Sequence, residues 1–329
     1  MVVVALDNSR PTTREDLSWG TWVGDGRNRW YDKHQRMSVS CVLCGCVLLM
    51  LVYAAVIIWD NGRSGFLGEH SCMDGTPTLR MNEFMLGSLD AKKIDLGHPS
   101  PEVYPTPPKE IILTANDAVL SDIKQAEKNF DELVGAHELR VLHYDAYGKD
   151  FIKQFKTSPD AWAQLVKQLA FYKLKGRPGV TYESAQTRKF QRGRTEVIRA
   201  ASSESKAWVD AMVDPKATVR IFVVTTFCTS LMDRGNQDVQ RAILFRRAAA
   251  RHVQFAAWAA DGQGVDRHLF GMRKVIKEDE PLPEIYRDPA YSRTNHWELS
   301  TSQLSSRFLD GWGYGEGLSH GSSFVINAP

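Results

Sequence analysis

A histidine with the surroundings of a general base lies in residues 68–78, GEHSCMDGTPT. His70 has Asp74 four residues later, and the small residues Ser71 and Gly75 leave space beside its imidazole. Such a histidine can take a proton from a hydroxyl or a thiol, because histidine titrates near neutrality and a hydrogen-bonded carboxylate holds one tautomer. Most His–Asp pairs at this spacing are surface pairs or ordinary buried histidines. His70 is therefore a candidate general base. The assignment requires further residues elsewhere in the chain that could bind a substrate.

A cluster of lysines precedes a predicted helix. Residues 148–156, GKDFIKQFK, contain Lys149 and Lys153, and Ser158 followed by Pro159 predicts a helix that runs to residue 174. Lysines together with the free N–H groups of a helix start suit a phosphate of a nucleotide or a coenzyme. The alternative is a solvated surface, which is the commoner role of such a cluster.

Residues 179–199, GVTYESAQTRKFQRGRTEVIR, predict a pair of strands with unusually polar side chains. Tyr182, Ser184 and Thr195 offer hydroxyls here. Arg188, Arg192 and Arg194 offer positive charge. These groups suit a small anionic or zwitterionic ligand. The alternative is an exposed face of a sheet.

The elements that must position these residues are predicted by local patterns. The apolar residues 2–6 predict a buried strand. Asn61-Gly62 between apolar runs predicts a β-hairpin over residues 56–67 that leads to His70. The remaining predictions are a helix opened by Asn116 or Asp117, a strand at 139–144, a helix at 203–213, a helix at 238–260 capped by Asp238 and ended by Gly262, and a hydroxyl-rich strand at 299–304.

Composition sets the broad class. The chain has 329 residues, 43% of them hydrophobic and 24% charged, which is ordinary for a globular protein large enough for two domains. A net charge of +2 indicates no nucleic-acid partner. Four of the five cysteines lie in two apolar stretches, which is not a disulfide framework and favours a reducing compartment. Five prolines in residues 99–108 predict a linker, and we place a domain boundary near Asn116.

An uncharged run at residues 39–59 reaches the length that crosses a bilayer. Taken alone, it predicts a single-pass membrane anchor, and the protein would then be a non-catalytic, membrane-anchored one. The other interpretation depends on the family resemblance that follows.

Six segments, in this order, resemble motifs of the choline/carnitine O-acyltransferase family: GRNRWYDK, GEHSCMDGTP, GKDFIKQFKTSPD, TYESAQTRKFQRGRTEVIR, GQGVDRHLFGMR and LSTSQ. They are most similar to fungal carnitine acetyltransferases. The resemblance implies a two-domain α/β fold of the chloramphenicol-acetyltransferase type. It also implies reversible transfer of an acetyl group between coenzyme A and carnitine, with coenzyme A as substrate, no permanently bound cofactor and no metal. It further implies a monomer in mitochondria or peroxisomes, with membrane association not expected.

The resemblance assigns roles residue by residue. His70 is the general base, Asp74 is its carboxylate partner where animal carnitine acetyltransferases have Glu, and Ser302 stabilises the tetrahedral intermediate. The remaining matches are Lys149, Lys153 and Asp160 for coenzyme A, Tyr182, Thr195 and Arg267 for the carnitine carboxylate, and Trp312 for a pocket that limits acyl length. Arg267 favours carnitine over choline, because choline has no carboxylate for it to bind.

The chain also departs from the family pattern. Residues 36–55 and 219–237 interrupt family-like segments, and we interpret both as insertions derived from retained introns. From the resemblance we also expect that the sequence after residue 316 departs from the family pattern and that a long region preceding residue 2 in family members is missing from this chain. We therefore expect residues 1–115 to be the remainder of an N-terminal domain with exposed apolar surface, and residues 116–329 to form the C-terminal domain that binds coenzyme A and carnitine. A catalytically inactive fragment is the alternative.

Overall fold

The computed structural model describes residues 2–23, 54–68, 74–95, 97, 114–214, 233–309 and 322–326. Contacts within the chain define two compact units. The first comprises Met1–His143, Ser306–Gly311 and Pro329, and the second comprises Tyr144–Ser305 and Trp312–Ala328. The helix that follows Asn116 groups with the first unit, so this division lies later in the chain than the predicted boundary, and the domain boundary near Asn116 stays a prediction.

A three-stranded sheet organises the first unit. Strands β1 (Val2–Asp7), β2 (Ala54–Trp59) and β3 (Ser64–Gly68) lie in the order β1-β2-β3, with β1 parallel to β2 and β2 antiparallel to β3. The predicted hairpin is confirmed, since Gly62 adopts φ +79° in the turn and its N–H donates to the Trp59 carbonyl at 2.9 Å. One face of the sheet buries Ala5, Ile57 and Trp59. On the opposite face of β1, Val4 and Leu6 are exposed, as expected for this domain.

The described residues of the same unit form three helices: α1 (Arg14–Trp22), α2 (Gly75–Asp90) and α3 (Asp117–Gly135). Helix α1 contributes Leu17 to the sheet core. Helix α3 begins where the sequence predicts, because the Asn116 side chain accepts a hydrogen bond from the Val119 N–H at 2.9 Å.

The predicted strand at residues 139–144 is wrong. These residues have no regular secondary structure, and Leu142 is 89% exposed. A strand is stabilised by hydrogen bonds to a neighbouring strand. Here the Val141 N–H donates instead to the Glu15 carboxylate of α1, at 3.2 Å.

The second unit combines a four-stranded sheet with helices. Its elements are α4 (Lys149–Gln154), α5 (Pro159–Lys175), β4 (Thr181–Gln186), β5 (Thr195–Ile198), α6 (Ser203–Val213), α7 (Asp233–Ala260), α8 (Asp266–Lys274), α9 (Glu284–Arg287), α10 (Pro289–Thr294), β6 (Leu299–Gln303) and β7 (Ser322–Ile326). The strand order is β5-β4-β6-β7, with β5 antiparallel to β4 and the other pairs parallel. The mixed helix and sheet content agrees with the expected α/β class.

Helices α5, α6 and α7 share a core that includes Leu165, Trp208 and Leu244. The inner side of the sheet packs on α7 through Ala185, Ile198 and Ala259. Helix α7 therefore packs against the inner face of the sheet.

Most helix ends in this unit agree with the sequence. The Ser158 side chain accepts from the Ala161 N–H at 3.3 Å, which confirms the start of α5. Gly262, at φ +71°, lies just past the end of α7 as predicted. Asp238 is not a cap, because α7 begins at Asp233 and Asp238 accepts a hydrogen bond from Arg241 within the helix.

The structure also bears on the apolar run and the two predicted insertions. Residues 54–59, the end of the apolar run, form β2, and no helix in the described ranges is long and apolar enough to cross a membrane. Residues 54–55 of the first predicted insertion lie in β2, and residues 233–237 of the second lie in α7. Residues 36–53 and 219–232 lie outside the described residues. Residues 322–326, in the C-terminal segment where a departure from the family pattern is predicted, pair with β6.

Candidate functional site

Three residues predicted to bind one ligand lie together in the second unit. Arg267, in the first turn of α8, donates from Nη2 to the Tyr182 hydroxyl at 3.1 Å. Its Nε donates to the Thr195 carbonyl at 3.4 Å. Thr195 thus contacts Arg267 through its main chain, while its hydroxyl lies 3.2 Å from the Glu196 carbonyl. The arginine side chain crosses the edge strand β5 to reach β4.

The guanidinium of Arg267 retains the capacity to bind an anion. Arg267 is exposed, and within the described part of the chain no carboxylate lies within ion-pair distance of its guanidinium. Its Nη1 likewise makes no hydrogen bond to any described residue. The Ser184 hydroxyl lies 3.3 Å from the Tyr182 hydroxyl and extends the polar surface. A planar guanidinium beside hydroxyls is well suited to a carboxylate.

The register of the sheet places Ser302 on the same face as Tyr182. Tyr182 pairs with Ser300 on the parallel strand β6, and alternate residues of a strand share a face. Ser302 follows Ser300 by two residues and is partly exposed. Between them, the buried Thr301 faces the other way, since its hydroxyl accepts from Gln164 Nε2 of α5 at 2.9 Å. The geometry agrees with a role for Ser302 in the same site, and that role stays a prediction.

A buried polar cluster lies on the other face of β4. His252 Nε2 of α7 lies 3.0 Å from Asp160 Oδ2 of α5 and 3.5 Å from Glu183 Oε2 of β4. Glu183 and His252 are 5% and 3% exposed, so water screens the cluster poorly. Among the described residues, Glu183 Oε2 and His252 Nδ1 have no hydrogen-bond partner by geometry. If Glu183 is protonated, its O–H can donate a hydrogen bond to the Asp160 carboxylate. The buried Glu183 carboxyl then has a partner.

The directions of the pKa shifts in this cluster agree with a shared proton. Burial raises the pKa of Glu183 well above its ordinary value, and the charge of Asp160 and the hydrogen bond to it act in the same direction. Burial alone would also raise the pKa of Asp160, but hydrogen bonds from His252 and Glu183 outweigh it and lower that pKa. Burial lowers the pKa of Lys167 to about 8, although both carboxyl groups oppose the change. The opposite directions of the two shifts mean that a proton shared by this pair favours Glu183 over Asp160.

The same cluster is the set of described side chains that could hold a metal ion, since donor atoms of Asp160, Glu183 and His252 lie within 4.8 Å of one another. Lys167 argues against that use. Its ammonium interacts electrostatically with both carboxyl groups, and this positive charge disfavours a divalent cation bound to them. We therefore interpret the cluster as a proton-sharing network that joins α5, β4 and α7.

The lysines predicted to bind coenzyme A lie on one short helix. Lys149 and Lys153 are four residues apart on α4, so they share a helix face. Lys153 is exposed and Lys149 partly exposed, and neither makes an ion pair or hydrogen bond within the described residues. Asp160, the third residue predicted for this role, contacts His252 instead, and its side chain remains 29% exposed.

Two predicted site residues lie outside the described residues, namely His70 and Trp312. Asp74, the predicted partner of His70, is the N-cap residue of α2 in the first unit. The orientation of a His70–Asp74 pair therefore stays a prediction.

Sequence reasoning missed Glu183, His252, Lys167 and Glu196. The alternation of polar and small residues in TYESAQ places Glu183 on the buried face of its strand, and this signal could have identified it. His252 lies 92 residues from Asp160, so no local pattern connects them.

The chain matches one known protein family over most of its length. The sequence model of the family described as "Choline/Carnitine o-acyltransferase" matches residues 53–327. This range includes most of both units and all the predicted site residues. It also covers β7, which lies in the segment where a departure from the family pattern is predicted.

Individual relatives span several named activities. The chain is 36% identical over 323 residues to mitochondrial carnitine O-acetyltransferase of Saccharomyces cerevisiae, which covers 96% of this chain and 42% of that protein. It is 35% identical over 311 residues to peroxisomal carnitine O-octanoyltransferase of Bos taurus, covering 92% and 44%. It is 30% identical over 290 residues to choline O-acetyltransferase of Gallus gallus, covering 88% and 40%. The chain thus spans about two fifths of the length of the relatives it matches.

Proposed function

Because the chain belongs to the choline/carnitine O-acyltransferase family, we propose that it serves the reversible transfer of an acetyl group between coenzyme A and carnitine. The observation that carries the choice of carnitine is the Arg267 guanidinium, which lies beside the Tyr182 hydroxyl and has no carboxylate partner in the described chain. Carnitine carries a carboxylate and choline does not. A relative named for choline is among the matches, so this distinction has to be tested.

In this proposal the reaction is a proton-coupled acyl transfer. His70 removes the proton from the carnitine hydroxyl as its oxygen attacks the thioester carbonyl, and Asp74 orients the imidazole. The Ser302 hydroxyl donates to the oxygen that becomes negative in the tetrahedral intermediate. The C–S bond then breaks, and the thiolate of coenzyme A receives the proton from His70. Lys149, Lys153 and Asp160 are the proposed coenzyme A residues.

Two finer features belong to the same proposal. Trp312 limits the acyl pocket to short chains, which distinguishes this protein from the octanoyl-transferring relative. The location is mitochondrial or peroxisomal, as the names of two relatives indicate for those proteins.

Calorimetric titration of L-carnitine into the purified chain tests the carboxylate site. Arg267→Asn removes a charged hydrogen-bond donor, which typically contributes about 1.5–3 kcal/mol, so carnitine should bind roughly 10- to 150-fold more weakly. Choline affinity should change little, because it has no carboxylate. Arg273→Asn is the matched control, since this exposed arginine lies in the last turn of the same helix. Equal carnitine affinity in the Arg267→Asn variant, or wild-type affinity for choline as high as for carnitine, would contradict the proposal.

A further inference from the structure

Glu196 is a buried carboxylate whose partners are main-chain amides. It is 4% exposed, and no described lysine, arginine or histidine forms an ion pair with it. Its Oε1 accepts from the N–H of the next residue, Val197, at 2.7 Å. Both of its oxygens accept from the Arg267 N–H, at 3.2 and 3.3 Å. An acidic group buried with amide donors as its partners indicates a specific task, because burying a charge without compensation is costly.

That task is the capping of α8. The residue at the N-cap of this helix is Val265, whose side chain cannot accept a hydrogen bond, and no side-chain cap is formed there. In most helices the N-cap side chain accepts from the N–H of the second or third helical residue. Arg267 is the second residue of α8, and Glu196 reaches it from strand β5. The carboxylate also has the charge that the positive end of a helix favours.

A glycine close to Glu196 permits this contact. Gly264 precedes α8, and a Cβ atom added to it would lie 2.4 Å from Glu196 Cγ. A glycine at this position therefore lets α8 approach β5 closely enough for the carboxylate to reach its first turn.

We propose that Glu196 is a positioning residue that fixes Arg267 for recognition of the ligand carboxylate, an inference that rests on the proposed function. The amide that Glu196 holds belongs to the residue whose guanidinium contacts Tyr182. Thr195, whose carbonyl accepts from Arg267 Nε, is the residue immediately before Glu196. The Glu196 carboxylate thus links strand β5 to helix α8 next to the residues that are proposed to bind the ligand.

Two substitutions separate this role from simple packing. Glu196→Ala removes the acceptor and should weaken carnitine binding by about tenfold or more, because the guanidinium is no longer held in place. Glu196→Gln keeps an oxygen at the position of Oε1, which accepts both amide hydrogens, and should restore carnitine affinity to within about threefold of wild type. Coenzyme A affinity should be unchanged in both variants, since the proposed lysines lie on α4.

Hydrogen exchange of the Arg267 amide provides a measurement that does not depend on carnitine. Exchange should be faster in Glu196→Ala and near wild type in Glu196→Gln, because a lost hydrogen bond exposes the amide. Gly264→Ala, which displaces the Glu196 side chain, should resemble Glu196→Ala. Glu298→Ala is the control, since it removes a different partly buried carboxylate and should leave the Arg267 amide unaffected.

The outcomes are separable. Unchanged exchange at Arg267 in Glu196→Ala overturns the positioning role. Faster exchange with unchanged carnitine affinity in a wild-type chain that binds carnitine also overturns it. If the wild-type chain does not bind carnitine, the proposed function fails, and the exchange measurement alone then decides whether Glu196 holds Arg267.

Discussion

Substitution of Glu183 tests whether a protonated carboxyl group holds the buried face of β4. In Glu183→Gln, the amide NH₂ can donate to Asp160 as the carboxyl O–H does, and the side chain keeps its size. In Glu183→Ala, the donor and most of the side chain are lost. The two variants therefore separate the hydrogen bond and the packing from the charge.

The expected magnitudes follow from burial and partners. Glu183 is 5% exposed, so its removal leaves space that the neighbouring helices fill only in part. A hydrogen bond to a charged group contributes about 1.5–3 kcal/mol. The lost packing adds about 1–2 kcal/mol, at the low end of large-to-small core substitutions. Glu183→Ala should thus lower the free energy of unfolding by about 2.5–5 kcal/mol, whereas Glu183→Gln should change it by less than about 1 kcal/mol.

Urea unfolding followed by tryptophan fluorescence measures these differences, and pH provides a second test. The pKa of Glu183 is raised in the folded protein above its ordinary value of 4.5. Its contribution to stability is therefore fully present below pH 4.5 and is lost as the pH rises through the raised pKa. The Gln variant cannot titrate and should lack this decline. If Glu183→Gln is as destabilising at pH 7 as Glu183→Ala, the carboxyl is ionised and the shared-proton interpretation is wrong.

Three further predictions concern catalysis and acid stability. His70→Ala should abolish acetyl transfer in a thiol-release assay while coenzyme A still binds by calorimetry, and equal loss of both would count against a general base. Trp312→Gly should extend activity toward octanoyl-coenzyme A, because overlap with a rigid indole typically costs about 1–3 kcal/mol; an unchanged chain-length profile would refute the pocket assignment. A hydrogen bond from Arg177 lowers the pKa of Glu298 to about 2, so the stability from this pair is present above pH 4.5 and lost as the pH falls through about 2. Glu298→Gln should lower the free energy of unfolding at pH 7 by about 1–2 kcal/mol after solvent screening, and an acid titration in which that difference persists at pH 2 would contradict the assignment.

Signals within a few residues predicted much of the fold. The Asn61-Gly62 turn, the Ser158-Pro159 helix start and the strand pair over residues 179–199 all appear in the structure. Each depends on backbone preferences and short hydrogen bonds that the local sequence encodes. The predicted strand at residues 139–144 lacked such a basis, because a strand also requires a neighbour that no local pattern can supply.

The candidate site also combines residues that the sequence predicted with contacts that only the tertiary structure shows. The sequence alone, through its family motifs, identified Tyr182, Thr195 and Arg267 as a group, and the tertiary structure brings the Arg267 side chain to the other two. Only the tertiary structure revealed that Glu196 caps the helix bearing Arg267, 71 residues away in the chain. The pairing of Asp160 with His252 was equally invisible. Both contacts arise because the packing of helices against the sheet brings distant polar groups into a space with little water, where each group requires a partner.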